Sequence, residues 1–316
     1  MWAKNKQQSG FTIVELLIVI VVIGILAAIT IVSFNGVQNR ARLAALQSDL
    51  ESAAKILETN KYSVAATSGT EGYPAAASAT DFSGLTAAGV KLSSGSSMTT
   101  YIVNNATSPA NYCLTITNNS LAYSATSKSG SSMPGTCVTN LAQNPSAEND
   151  INYYQAYNGA PMTSVLAGCY SGSRCISYDI SGGANKGLIF QLASPLIVGQ
   201  PYVYSAYAKG VSGLVASTSY RPTNSSSAYL GEGSAGTVST LNGSWQRLST
   251  AAVLVSSGSD YGGFQVNIGT ASPSLLYIDA LMVTQGTSLY SFGDGNSTGW
   301  FWNGTPNSST STGPSA

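Results

Sequence analysis

From Phe11 to Val32 the chain is apolar for 22 residues, broken by one charge, Glu15. As a helix this stretch rises about 33 Å, enough to cross a hydrocarbon core of about 30 Å. An ionised carboxylate in such a span costs about 2.5–3.5 kcal/mol near the centre and less toward an end. Glu15 therefore needs a partner or a place near the end of the span. Further on, Leu43, Leu46, Leu50, Ala53 or Ala54, and Leu57 recur at spacings of three and four, which puts them on one helical face. Asp49, Glu51, Lys55 and Glu58 lie mostly off that stripe, and Glu51 precedes Lys55 by four residues, a favourable pair on a helix surface. The pattern predicts one helix from about residue 11 to residue 60, its second half packed against a sheet.

After residue 60 the period changes. Residues 61–100 are rich in Ala, Ser, Thr and Gly and predict a connecting region with short elements. Thr100 to Val103, Tyr112 to Thr117 and Ser120 to Ala125 alternate apolar with polar positions and predict three antiparallel strands against the helix. Beyond Asn140, strands are predicted at Arg174 to Ile180, Gly187 to Leu192, Tyr202 to Lys209, Gly213 to Tyr220, Trp245 to Val255, Gly263 to Ile268 and Leu275 to Val283. Gly-, Ser-, Pro- and Asn-rich turns separate them, which is the punctuation of an all-β sandwich. The tail carries Trp300 and Trp302, and residues 308–316 are expected to fray.

Composition narrows the chemistry. Charged residues make up 8% of the chain against 43% hydrophobic ones, so this is not a disordered polyelectrolyte. The formal net charge is zero, and loss of Lys4 and Lys6 would take it to about −2, which offers no basic field for nucleic acid. There is no histidine, which excludes histidine-based triads and most zinc sites. Cys113, Cys137, Cys169 and Cys175 fit no zinc spacing and lie beyond the apolar span, where disulfides persist. Three pairings are open; proximity favours Cys113 with Cys137 and Cys169 with Cys175.

The first ten residues are short, polar and basic through Lys4 and Lys6. By the positive-inside bias they stay in the cytoplasm and everything past Phe34 crosses. An ordinary secretory signal fits less well, because the apolar run is long, carries a charge and lacks a small-residue exit. This segment, Gly10 followed by Phe-Thr-Ile-Val-Glu-Leu-Leu-Ile-Val-Ile, resembles the class III prepilin leader of the type IV pilin superfamily. The resemblance implies cleavage after Gly10 by a membrane prepilin peptidase, methylation of Phe11, and packing of many such helices into a filament. Glu15 would then lie in the first helical turn, favoured by the helix dipole, and could pair with the new amine of a neighbouring subunit. The place where many pilins carry Pro reads Thr30-Ile-Val-Ser-Phe34 here, which leaves Gly24 as the weak point of the span. Closure of the head by Cys113 and Cys137 is also similar to pilins.

Asn140-Leu-Ala-Gln-Asn-Pro-Ser-Ala-Glu148, Tyr202-Val-Tyr-Ser-Ala-Tyr-Ala-Lys-Gly210, Gly243-Ser-Trp-Gln-Arg-Leu-Ser249 and Leu276-Tyr-Ile-Asp-Ala-Leu-Met-Val283 resemble, in order, phrases of carbohydrate-binding-module-like (galactose-binding-like) jelly rolls. That resemblance implies a structural Ca²⁺ held by Glu148 and Asp279, and a core position for Trp245. Sugar binding needs flat aromatic faces ringed by polar groups; the candidates are Tyr153, Tyr154, Trp300 and Trp302, with Tyr157, Tyr220, Tyr229 and Tyr261 near them. No spacing marks a facing carboxylate pair, so no enzyme is expected, and no cofactor is required.

The sequence thus predicts an α+β pilin, with a long N-terminal helix on a small antiparallel sheet, followed by an all-β jelly-roll sandwich. Its parts are a leader (1–10), a transmembrane and assembly helix (11–60), a pilin head (61–139), a β-sandwich (140–290) and a Trp-containing tail (291–316). The expected role is a minor pilin, a single-pass membrane protein before assembly and part of an extracellular pilus after it, displaying an adhesive sandwich. Its expected partners are other pilin subunits, the prepilin peptidase, the inner-membrane pilus machinery and a glycan or partner-cell surface. A pseudopilin of a secretion or DNA-uptake machine, and a membrane-anchored lectin that never polymerises, are the alternatives.

Overall fold

The computed structural model of the chain describes residues 12–68, 71–158, 161–166, 168–181, 186–224, 229–230, 235–258, 261–269 and 274–315. Helix α1 (Ile13–Ser68) is continuous over 56 residues. It runs past residue 60 because nothing in Lys61 to Ser68 breaks it: that stretch holds neither Gly nor Pro. Its first half is apolar all round and exposed, as a membrane-crossing segment must be. In its second half Leu46, Leu50, Ala53 and Leu57 are fully buried, and this is the stripe that the spacing picks out.

That stripe packs on the head. A short helix α2 (Ser83–Ala87) precedes strands β1 (Ser96–Asn104), β2 (Asn111–Asn118), β3 (Leu121–Thr126) and β4 (Met133–Pro134), which form an antiparallel sheet in sequential order. Tyr101, Tyr112, Leu114, Ile116 and Ala125 meet the helix leucines in one cluster with Tyr73 and Leu85. Asp49, on the packed half of the helix, is buried but satisfied: its carboxylate accepts the Ser93 N–H at 3.0 Å and hydroxyl at 2.7 Å.

Strand β5 (Cys137–Asn140) carries the chain out of the head. The sandwich follows as β6 (Tyr154–Tyr157), β7 (Met162–Val165), β8 (Cys175–Asp179), β9 (Lys186–Gln191), β10 (Pro201–Lys209), β11 (Val215–Arg221), β12 (Ala235–Thr240), β13 (Gln246–Ser249), β14 (Val253–Leu254), β15 (Gly263–Ile268) and β16 (Leu275–Gln285). One sheet has the order β13-β10-β16-β8-β7, with β14 also on β10; the other is β12-β11-β15-β9-β6. All the registers are antiparallel, and the inner faces share one core through Tyr178, Tyr204, Phe190, Phe264, Val266 and Ile278. In β16 the inward set moves from Leu276 and Ile278 to Leu281 and Val283. The extra residue sits at Asp279–Ala280, where Ala280 adopts φ 53° and the pairing with β10 shifts register.

The tail departs from expectation. Strands β17 (Phe301–Trp302) and β18 (Ser311–Pro314) form a third sheet in which β18 pairs with β5. Residues 308–315 are thus held in place and do not fray. Trp300 and Trp302, expected as ligand-facing, are 3% and 7% exposed. Trp300 packs with Val138, Met282, Tyr290 and Phe292, while Phe301, on the opposite face of its strand, packs on Cys113 and Cys137. A Cβ at Gly293 or Gly313 would lie within 2.3 Å of Trp300, so only glycine admits the ring there. The tail bridges head and sandwich. Lys128 Nζ donates to the Gly295 carbonyl at 2.6 Å and Asn104 Nδ2 to that of Asn303 at 2.7 Å, while Asn149 Nδ2 reaches Ser308 Oγ at 2.9 Å.

Candidate functional site

Two places in the chain carry functional geometry. The first is the start of α1. Thr12 is the residue before the first helical position, and Glu15 lies three residues on. The Thr12 N–H and hydroxyl both donate to Glu15 Oε2, at 2.8 and 2.9 Å, and the Glu15 N–H donates back to Thr12 Oγ1 at 3.2 Å. This reciprocal arrangement is a capping box, which satisfies two of the donors that a helix N-terminus leaves open. Its signal stands in the sequence as Thr-x-x-Glu ahead of an apolar run. Among the described residues the carboxylate is held through one oxygen, which leaves Oε1 for another donor. Gly10 and Phe11, the expected cleavage and methylation positions, lie outside the described residues.

The second is the outer face of the five-stranded sheet. Because Phe264, Val266 and Ile268 point into the core, Gln265 and Asn267 point out. The same alternation turns Ser217, Ser219 and Arg221 of β11, Gln191 of β9, and Gln155 and Tyr157 of β6 outward. Amides and hydroxyls link along and across the strands: Gln155 Nε2 donates to Gln191 Oε1 at 3.0 Å and Asn267 Nδ2 to Ser219 Oγ at 3.1 Å between strands, and Gln265 Nε2 donates to Asn267 Oδ1 within β15. Gln265 is buried, while the amides of Gln155, Gln191 and Asn267 reach solvent and keep further donors or acceptors for a ligand. The Arg221 guanidinium lies 4.1 Å from the ring centre of Tyr229 and 5.7 Å from that of Tyr157. Since β15 and β9 separate β11 from β6, an arginine that reaches Tyr157 is laid across the sheet. Tyr229 is 45% exposed.

The aromatic residues first expected here are placed otherwise. Tyr154 is 4% exposed in the sandwich core, and its hydroxyl donates to the Asn144 carbonyl at 2.9 Å. Tyr153 is half-buried against Phe190. Trp300 and Trp302 belong to the tail. Tyr154, Trp300 and Trp302 are therefore packing residues, because alternation and tail pairing turn them inward. Trp245 differs in the other sense: it lies outside the core, half-exposed, with Nε1 donating to the Gly168 carbonyl at 3.0 Å and its ring edge-on to Tyr170.

Glu148 and Asp279 both serve the loop closed by Cys169 and Cys175, which are joined, as are Cys113 and Cys137. Glu148 accepts the N–H groups of Ser173 and Arg174 at 2.8 and 2.9 Å and the Ser173 hydroxyl at 2.7 Å. Asp279, 1% exposed, accepts the Tyr170, Ser171 and Ala280 N–H groups at 2.7, 2.9 and 2.6 Å. Burial pushes the Asp279 carboxyl up to about 6, against the opposing pull of these N–H groups. The donor set does not fit the Ca²⁺ expected at these two residues: N–H groups direct their positive ends at the oxygens that a cation would take.

Comparison with known proteins agrees with the first place and says little of the second. Residues 5–31 match the prokaryotic N-terminal methylation motif. Over 58 residues the chain is 33% identical to the type II secretion system core protein G of Pseudomonas aeruginosa; the match covers 18% of this chain and 41% of that relative. The chain thus spans about two fifths of the curated relative that it matches. Among solved structures, it is similar to the C-terminal family 22 carbohydrate-binding module of Clostridium thermocellum Xyn10B, at 18% identity and a TM-score of 0.37, covering 46% of this chain and 93% of that one. It is also similar to TmCBM61 in complex with β-1,4-galactotriose, at 13% identity and a TM-score of 0.36, covering 46% and 99% of the two chains.

Proposed function

We propose that this protein is a minor pilin that polymerises through α1 into a surface filament and presents its sandwich as a glycan-binding adhesin. The observation that carries the reading is the pairing, in one chain, of the methylation motif with an exposed apolar helix capped by Thr12 and Glu15. Cleavage after Gly10 would leave that cap intact and create an amine on Phe11 that Glu15 of a neighbour can accept, sparing an unpaired charge inside the filament. The sandwich is larger than the head, so one on every subunit would crowd a shaft, which favours a tip or low-copy position. Glycan binding is supported by the outer face of the five-stranded sheet, where amides, hydroxyls and Tyr229 offer the mixed surface that sugars need. No catalytic step is proposed.

The test is the N-terminal mass of the protein in sheared surface filaments. Methylated Phe11 is the expected result; a chain that begins at Met1 sinks the reading. A pseudopilin role is the second reading, favoured by the likeness over 58 residues to the secretion-system core protein. It predicts that the protein fractionates with a secretion complex and is missing from surface filaments.

A further inference from the structure

We infer that the ligand of the outer sandwich face is an acidic polysaccharide whose uronate carboxylates are taken by Arg221, an inference that rests on the glycan-binding reading above. Arg221 stands out because it is the one charged side chain that strand alternation turns outward on the described strands of this sheet. Among the described residues it makes no ion pair, and its contacts are the ring faces of Tyr229 and Tyr157. Stacking of this kind uses the faces of the guanidinium and leaves the N–H donors, which lie in its plane, pointing past the rings. A planar fork of donors matches a carboxylate in bidentate fashion.

The surroundings select the rest of the ligand. Gln155, Gln191, Asn267 and Ser217 are neutral hydrogen-bonding groups spread over neighbouring strands, suited to the hydroxyls of successive sugar rings. The exposed face of Tyr229 can take the C–H side of one ring. A phosphodiester polymer is disfavoured, because it would need a row of cations where this face offers one.

The experiment titrates the full chain in detergent micelles, by calorimetry, with three probes: the hexamer of α-1,4-linked galacturonate, the same hexamer fully methyl-esterified, and xylohexaose. The acid hexamer is expected to bind about tenfold or more tighter than its ester, the step expected of a charge-assisted bidentate contact. Arg221→Met should bring the two to equal affinity, and Tyr229→Ala should weaken both alike. Equal binding of acid and ester by the unaltered protein overturns the inference and leaves the glycan reading standing, and that comparison needs no variant to fold. Tighter binding of xylohexaose than of the acid, or a preference for the acid that survives Arg221→Met, overturns it in the same way. Binding of none of the three removes both the inference and the glycan reading.

Discussion

The side-chain amide of Asn140 grips the backbone of Val283: its Oδ1 accepts the Val283 N–H at 3.0 Å, while its Nδ2 donates to the neighbouring Leu281 carbonyl at 2.9 Å. The same amide also accepts the Ala142 N–H and donates to the Gly293 carbonyl, and it is fully buried. One residue at the exit from the head therefore satisfies peptide groups of β16 and of the tail at once. Asn140→Ala leaves several buried peptide groups without partners, and an expected cost of about 2–3 kcal/mol follows. Chemical denaturation of the full chain in micelles measures it; a change under about 0.5 kcal/mol, the range of ordinary surface substitutions, would contradict the assignment.

The tail predicts a second loss. Phe301 covers the Cys113–Cys137 disulfide, and β18 completes the sheet with β5. A chain that stops after residue 290 should keep a folded sandwich core yet become sensitive to protease between Thr136 and Leu141. Phe301→Ala should cost about 3 kcal/mol, in the range of large-to-small core changes. Limited proteolysis followed by mass mapping reads the first outcome, and cleavage restricted to other loops would refute it.

At the other end, Thr12→Val removes the hydroxyl that caps α1 and holds Glu15. The helix start should lose about 1 kcal/mol, which amide exchange at residues 13–16 in micelles would reveal. Filament yield should fall for Thr12→Val and recover for Thr12→Ser, which restores the hydroxyl. Glu15→Ala should abolish filaments while leaving membrane insertion intact; unchanged filament number would instead favour an anchored lectin that never polymerises.

Asp279 sets a pH dependence whose sign follows from burial. Its folded pKa, about 6, is raised above the ordinary value of 3.8, so the folded chain holds this proton more tightly than the unfolded one. The stability it contributes is complete below the unfolded pKa and is lost as pH rises through about 6. Melting temperatures of the unaltered protein and of Asp279→Asn, compared across pH 4–7, should therefore converge at the acidic end differently from the neutral end, with the unaltered protein losing ground as pH rises. Parallel curves for the two would rule this out.

How much of this was legible in the sequence depends on what each feature needs. The spacing of Leu46, Leu50 and Leu57 sufficed for the packed half of α1, because one helical period decides which side chains share a face. Most of the sandwich strands could likewise be read from apolar alternation. The short β17 and β18 could not: Ser311-Thr-Gly-Pro314 has no apolar period, and it becomes a strand only because β5 lies beside it. Tyr153 and Tyr154 look alike in the sequence, yet one residue of register puts Tyr154 in the core and leaves Tyr153 at its margin. Trp245 failed in the opposite direction, since its place depends on the Gly168 carbonyl of a distant loop.

The sequence by itself determined a helix long and apolar enough to cross a membrane, the basic residues ahead of it, its lone carboxylate and the exclusion of histidine chemistry, because each rests on local composition and period. Tertiary structure decided which aromatic residues are buried, that Glu148 and Asp279 bind backbone N–H groups, and that Arg221 lies between Tyr157 and Tyr229. Those outcomes depend on which strands become neighbours, and strand neighbours far apart along the chain leave no periodic trace in it.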